Sequence, residues 1–167
     1  ETLVYVSHEK FGTDAITVRP FNVYGPGMSE RDYRVLPSFA SRIKGARPLA
    51  VYGSGAQTRT FCYVSDALLG FMLTLLRGPA GEVYNIGNPV PEISMLELVR
   101  RIESVLGRKL DTNVIEYPDS YPADEPMRRC PDIRKARLQL GYDPAVDLDE
   151  GLRRFLGWTE AAYTGKS

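Results

Sequence analysis

The side chains suited to work in this sequence are suited to binding rather than to covalent or acid–base chemistry. Its one histidine, His8, falls on a helix-like stretch near the start. A His-dependent triad and a multi-histidine metal site are thereby ruled out, and His8 itself reads as structural or surface. Cys62 and Cys130 stand far apart with no CxxC, so neither a disulfide framework nor a zinc site is indicated. Asn22 is more informative. In Arg19-Pro20-Phe21-Asn22-Val23-Tyr24-Gly25-Pro26 a strand ends at Pro20 and the chain turns out at Gly25-Pro26. Asn22 then sits at the C-terminal end of a strand, the edge at which open α/β sheets bind ligands. Its amide offers both a donor and an acceptor; the competing reading is a turn asparagine that satisfies nearby backbone. Arg59, between two threonines, and the pair Arg128-Arg129 also have two readings, solvated surface or ligand contact. Gly53 and Gly55 suggest a phosphate loop, but no helix follows them directly and no Lys-Ser/Thr appears, so they read as turn glycines.

The elements that must position these residues follow from periodicity and punctuation. The 167 residues, 43% hydrophobic and 25% charged, are an ordinary globular composition. They suffice for one domain or a large piece of one, with a core that needs no disulfide or metal. Twenty-one basic and 21 acidic residues give a net charge of zero, which argues against a long polyanion such as nucleic acid as partner, though local arginines can still bind a phosphate. No apolar run approaches the ~20 residues that span a bilayer. Residues 1–12 have neither the basic start nor the apolar centre of a signal peptide. The expectation is a cytoplasmic protein with no membrane partner. Residues 1–11 read as the end of a helix with Leu3, Val6 and Tyr5 inward and Gly12 as its C-cap. A strand is expected at 15–19, a long loop at 20–34, and a helix at 35–44, where Leu36, Phe39, Ala40 and Ile43 recur at helical spacing. Strands at 49–52 and 60–64 flank the Gly53-Ser54-Gly55 turn. Ser65 or Asp66 would cap a helix over 67–76, and a strand follows at 82–86. Ser94 and Glu97 form a capping box for a helix reaching Leu106. A strand at 114–117, an irregular loop at 117–131, a helix at 133–140, and a last helix capped by Asp147 or Asp149 and ending near Tyr163 complete the chain. The fold class is mixed α/β.

Five segments, in order, carry a resemblance. They are the octapeptide from Arg19 to Pro26; Val51-Tyr52-Gly53-Ser54-Gly55-Ala56-Gln57-Thr58-Arg59; Phe61-Cys62-Tyr63-Val64-Ser65-Asp66; Tyr84-Asn85-Ile86-Gly87; and Arg129-Cys130-Pro131-Asp132-Ile133 with Leu140-Gly141-Tyr142. Together they resemble the extended short-chain dehydrogenases of the NAD-dependent epimerase/dehydratase family, over about residues 1–156. Within that family, the run from Leu49 to Asp66, the Asn85 to Pro89 segment, the stretch from Asp124 to Ala136 and the run from Ala145 to Leu152 are most similar to UDP-glucuronate decarboxylases. Cys130 departs from the lysine usual there. Tyr24 to Gly27 is shared with epimerases, and the Asp-Trp that 4,6-dehydratases show after the arginine is absent after Arg59. Nucleotide-sugar 4-epimerase and 4,6-dehydratase therefore remain as alternatives.

The resemblance implies the C-terminal substrate-binding portion of an extended short-chain dehydrogenase. Residues 1–22 would be a remnant of the dinucleotide-binding domain, with Arg19 and Pro20 on the cofactor side. Residues 23–163 would bind the nucleotide sugar, and 164–167 would be a tail. Asn22 would hydrogen-bond the diphosphate or sugar, Arg59 would pair with the diphosphate, and Arg129 would reach the sugar or phosphate end. Val35 and Leu36 would lie near the base, and Tyr52 would wall the nucleotide pocket. In a decarboxylase of this kind the sugar's C4 hydroxyl is oxidised with NAD as hydride acceptor. The resulting 4-keto acid is a β-keto acid and loses carbon dioxide, and the hydride then returns. The Gly-rich loop that binds NAD and the Tyr-x-x-x-Lys pair that moves the proton do not occur in these 167 residues. No catalytic residue is therefore assigned, and the chain alone is expected to be inactive and to hold NAD poorly. Intact relatives are expected to be homodimers, while the chain by itself would tend to self-associate. Readings of another class are a non-catalytic nucleotide-sugar-binding module and an interaction domain without a ligand.

Overall fold

A computed structural model describes residues 1–117 and 126–165. Two compact units emerge, each assembled from three separate stretches. The first comprises residues 1–23, 60–91 and 130–146, and the second residues 24–59, 92–129 and 147–167. The short strand β2 (Val23–Tyr24) falls where the first stretch of each meets.

In the first unit, β1 (Thr17–Pro20) and β6 (Val83–Ile86) run parallel, with Thr17 opposite Val83 and Pro20 opposite Ile86. Helix α3 (Val64–Arg77) packs on this pair, on β5 (Cys62–Tyr63) and on α5 (Arg134–Leu140). The face it buries is made of Asp66, Ala67, Gly70 and Thr74, small residues at helical spacing that let the helix lie close to the sheet. A Cβ at Gly70 would come within 2.5 Å of the Ile86 Cγ2. The core beneath holds Cys62, Ala67, Tyr84, Ile86, Ile133, Ala136, Leu140 and Tyr142. Its thiol is pushed up to about 11 by burial, so Cys62 is a packing residue rather than a nucleophile.

Two expectations for this unit are corrected. Helix α1 (Thr2–Phe11) forms and ends on Gly12 in the left-handed region, at φ 63°, but none of its residues is buried. Leu3 is 85% exposed, so it does not face inward. Asp66 is no helix cap: α3 starts at Tyr63 without a side-chain cap, and the Asp66 carboxylate instead accepts the N–H groups of Ala145 and Val146 at 3.1 and 2.9 Å.

In the second unit, α2 (Val35–Lys44) buries Leu36, Phe39, Ala40 and Ile43, the stripe its periodicity predicts, and packs on β3 (Leu49–Tyr52) and α6 (Leu148–Ala162). Strand β3 pairs parallel with β8 (Thr112–Ile115) in the register Leu49↔Thr112 to Tyr52↔Ile115. Strand β8 thus ends before Tyr117, which the sequence reading had placed in the strand. Helix α4 (Met95–Leu106) opens on Ser94, whose Oγ accepts the Glu97 N–H at 3.1 Å. Helix α6 opens on Asp147, whose carboxylate accepts the Glu150 N–H at 2.8 Å; the alternative cap, Asp149, instead pairs with Arg101. Asp147→Ala leaves that N–H to water and should cost about 1 kcal/mol, read as a lower denaturant midpoint with an unchanged slope.

Candidate functional site

The segment Val51 to Arg59 is a rigid turn with an arginine at its end. Gly53 and Gly55 both have positive φ, 62° and 69°, a region in which L-residues are strained. Space matters as much. A Cβ on Gly53 would fall 2.7 Å from the ring of Tyr117, and one on Gly55 would fall 2.8 Å from both Leu96 Cγ and Val51 Cγ1. The Gly55 carbonyl accepts the Leu96 N–H at the start of α4. Gln57 is buried and closes the turn: its amide donates to the Tyr52 carbonyl at 3.0 Å and to the Tyr117 hydroxyl at 3.1 Å. The two tyrosine rings stack, with centroids 5.8 Å apart and planes 23° from parallel. Tyr52 is therefore one half of a half-buried aromatic pair fixed by Gln57.

Beyond the turn, β4 (Thr58–Arg59) is the centre of a three-stranded sheet, antiparallel to β7 (Ile93–Ser94) and parallel to β9 (Arg128–Arg129). Sequence reasoning expected a strand over 60–64 and an irregular loop at 128–129. The chain instead breaks at 60–61: Arg59 closes β4 in one unit, and Cys62 opens β5 in the other. Two-residue strands carry no periodicity, which is why neither was visible.

The register decides which residues meet. Arg59 is opposite Ile93 on one side and Arg129 on the other, while Thr58 is opposite Ser94 and Arg128. Residues opposite one another share a face and successive residues alternate. Arg59 and Arg129 therefore lie side by side on one face, on strands ~4.8 Å apart. Arg59 is 7% exposed and donates to the Thr58 carbonyl at 2.7 Å; Arg129 is exposed. Like charges directly opposite in a sheet repel, and an anion with several oxygens between them turns that cost into attraction.

The other face is closed by an acid. Glu92 accepts from the Thr58 hydroxyl at 2.6 Å and from Arg128 Nε at 2.9 and 3.1 Å and Nη2 at 2.7 Å. The Arg128 guanidinium, and after it the Thr58 hydroxyl, hold the Glu92 carboxyl below its ordinary range, so it is ionised at neutral pH.

The remaining expected site residues stand as follows. Leu36 is a core residue at 3% exposure, and Val35, on the first turn of α2, is partly exposed. Both belong to the same unit as Arg59. Asn22, Arg19 and Pro20 belong to the other unit. Asn22 has φ 43°, a conformation asparagine tolerates better than most residues. Its Nδ2 donates to the Thr60 carbonyl at 2.7 Å, and its own carbonyl accepts the Cys62 N–H. The asparagine is thus partly structural, tying the end of β1 to β5, with Oδ1 left over to accept. Arg19 makes two hydrogen bonds to Glu1, and Pro20 has no N–H to offer. Among the described residues no group of three potential metal ligands occurs, and no helix is long and apolar enough to cross a membrane. Asp124 and Glu125, part of the resembling stretch, lie outside the described residues, as do residues 166 and 167 of the tail.

Sequence reasoning missed Gln57, Tyr117 and Glu92 as site-building residues. Gln57 stood in a quoted motif and could have been found there. Tyr117 and Glu92 act across separations of 60 and 34 residues, for which no local signal exists.

A family model for the NAD dependent epimerase/dehydratase family matches residues 1–87. The chain belongs to that family. Its relatives include UDP-glucuronic acid decarboxylase 1 of Xenopus tropicalis, 38% identical over 92% of this chain and 35% of the relative. Another is UDP-glucuronic acid decarboxylase 5 of Arabidopsis thaliana, 38% identical over 91% of this chain and 43% of the relative. The chain thus spans less than half the length of these curated relatives. The structure of a UDP-glucuronic acid 4-epimerase from Bacillus cereus, in complex with UDP-glucuronic acid and NAD, superposes with a TM-score of 0.86. It is 30% identical, over 97% of this chain and 50% of that one. A dTDP-glucose 4,6-dehydratase of Streptomyces venezuelae with NAD bound gives 0.83 at 28% identity, over 94% of this chain and 47% of that one. The mixed α/β architecture is that of these family members.

Proposed function

We propose that this chain binds the diphosphate of a nucleotide sugar through Arg59 and Arg129, as the substrate-binding part of an NAD-dependent nucleotide-sugar enzyme. The observation that carries this reading is the in-register placement of the two arginines on one sheet face. The stacked Tyr52–Tyr117 pair at the head of the same turn supplies a flat aromatic wall of the kind a nucleotide packs on. Val35 and Leu36 would stand toward the base, and Asn22 would use Oδ1 toward a phosphate or sugar hydroxyl. In this reading residues 1–22 belong with a dinucleotide-binding part, 23–163 bind the nucleotide sugar, and 164–167 are a tail.

UDP-glucuronate decarboxylation is the reaction we favour, because the curated relatives carry that name. The 4-epimerase is the second reading, supported by the superposition on an enzyme that binds UDP-glucuronic acid. The 167 residues contain neither a Gly-rich loop nor a Tyr-x-x-x-Lys pair. We therefore expect the chain by itself to bind UDP and not to turn over. It should also self-associate through its exposed apolar residues, Leu69, Leu75 and Leu76 of α3 among them.

The test has two parts. In calorimetry, UDP should bind the chain and uridine, which has no phosphates, should bind far more weakly; equal affinities overturn the arginine reading. The reaction is decided on a protein in which this chain follows a Gly-rich loop and a Tyr-x-x-x-Lys pair, given UDP-glucuronate and NAD. Loss of carbon dioxide to a UDP-pentose in the mass spectrum establishes decarboxylation, and an isomer of unchanged mass moves the assignment to epimerisation. Failure to bind UDP at all would favour an interaction domain.

A further inference from the structure

Arg128 and Arg129 are neighbours in sequence with opposite surroundings. Arg129 shares a face with Arg59, while Arg128 shares the other with Thr58 and Ser94. On that other face a single carboxylate holds two strands at once. Glu92 stands just before β7, grips Arg128 of β9 with both oxygens and takes the Thr58 hydroxyl of β4 as well. Strand β9 is only two residues long. Its register on β4 is further marked by the Thr58 N–H donating to the Met127 carbonyl at 2.8 Å. A strand so short has few backbone bonds to fix it, so a side-chain clasp at its centre weighs heavily on its position. The two ends of the clasp are 67% and 26% exposed. Isolated pairs at such exposure contribute little, but a bidentate geometry within a network is the exception.

We infer that Glu92 is a positioning residue: by clasping Arg128 and Thr58 on one face of the sheet it holds Arg129 in register with Arg59 on the other. The inference rests on the proposal that these two arginines meet the diphosphate, and it assigns Arg128 to the clasp rather than to the ligand. Glu92 does not touch the ligand. Its removal lets β9 shift, and an arginine displaced by an ångström loses its geometry toward phosphate oxygens.

UDP binding is measured by calorimetry on the whole chain carrying Glu92→Gln, Arg128→Gln, Arg129→Ala and the Glu92→Gln/Arg129→Ala pair. Glu92→Gln and Arg128→Gln are each expected to raise Kd about three- to tenfold, with melting temperature nearly unchanged because Arg128 is exposed and Glu92 only partly buried. In the Arg129→Ala background, Glu92→Gln should change Kd no further, since it acts only through Arg129. That absence of a second loss is what a merely structural role would not give. If Arg129→Ala weakens UDP binding and Glu92→Gln does not, the clasp is overturned while the arginine reading stands. A full further loss in the double variant overturns the clasp in the same way. If Arg129→Ala binds UDP like the wild type, or the wild type does not bind it, the diphosphate reading falls and the clasp falls with it.

Discussion

Arg59→Ala should weaken UDP binding by ~1.5–3 kcal/mol, the worth of a hydrogen bond to a charged group. That corresponds to roughly 10- to 150-fold in Kd. The magnitude follows from where the side chain sits. Arg59 is 7% exposed, so its charge acts with less screening than a surface arginine, and the Thr58 carbonyl already orients it at 2.7 Å. Burial also makes a second explanation possible: the alanine variant could bind weakly because the sheet is damaged. Two comparisons separate these. The loss should be confined to UDP, with uridine binding changed little, because only UDP carries the diphosphate; an equal loss for both ligands would make Arg59 a structural residue. Arg59→Lys should fall between wild type and alanine, since an ammonium keeps the charge but not the planar fork that meets two oxygens. Raising the salt concentration should weaken the wild type more than the alanine variant. Because Arg129 is the in-register neighbour, the two alanine substitutions should be non-additive.

The parts of the fold that could be read from the sequence are those in which a local pattern has one physical meaning. Helix α2 matched its expected bounds because Leu36, Phe39, Ala40 and Ile43 can all be buried together only at helical spacing. Ser94 and Asp147 matched because a capping side chain bonds three residues ahead, within the reach of a local pattern. Asp66 shows the limit of the same rule. A carboxylate in the first turn of a helix looks like a cap, but its partners, the N–H groups of residues 145 and 146, come from 79 and 80 residues away. Helix α1 shows another limit, since periodicity identifies an apolar side without saying what covers it.

The site divides along the same line. Arg59 and Arg129 were singled out as ligand contacts only through motif resemblance; that they lie next to each other depends on pairing between two-residue strands from distant parts of the chain. Nothing local distinguishes Arg128 from Arg129 either. Their placement on opposite faces follows from alternation in a strand that the sequence alone does not reveal.

The turn that delivers Arg59 provides the second large effect. Gly55→Ala should destabilise the protein by about 2–5 kcal/mol, combining two separable costs. A non-glycine residue at φ 69° carries the left-handed penalty of ~1–2 kcal/mol. The added methyl also meets Leu96 Cγ and Val51 Cγ1 at 2.8 Å, in a packed interior where overfilling costs about 1–3 kcal/mol. Gly107→Ala isolates the first cost: its φ is 66°, yet nothing lies within 4 Å of a Cβ there. The difference between the two variants in denaturant unfolding therefore reports the packing of the turn against β3 and the start of α4. Gly53→Ala should fall between them, because its neighbour is the Tyr117 ring at 2.7 Å, a side chain that can swing away at the expense of its stack on Tyr52. The binding consequence runs the other way round. Gly53→Ala disturbs the aromatic wall and should weaken uridine and UDP alike, whereas Gly107→Ala should leave both unchanged. Equal destabilisation by Gly55→Ala and Gly107→Ala would show that the turn yields without strain, and that its close contacts do not set where Arg59 stands.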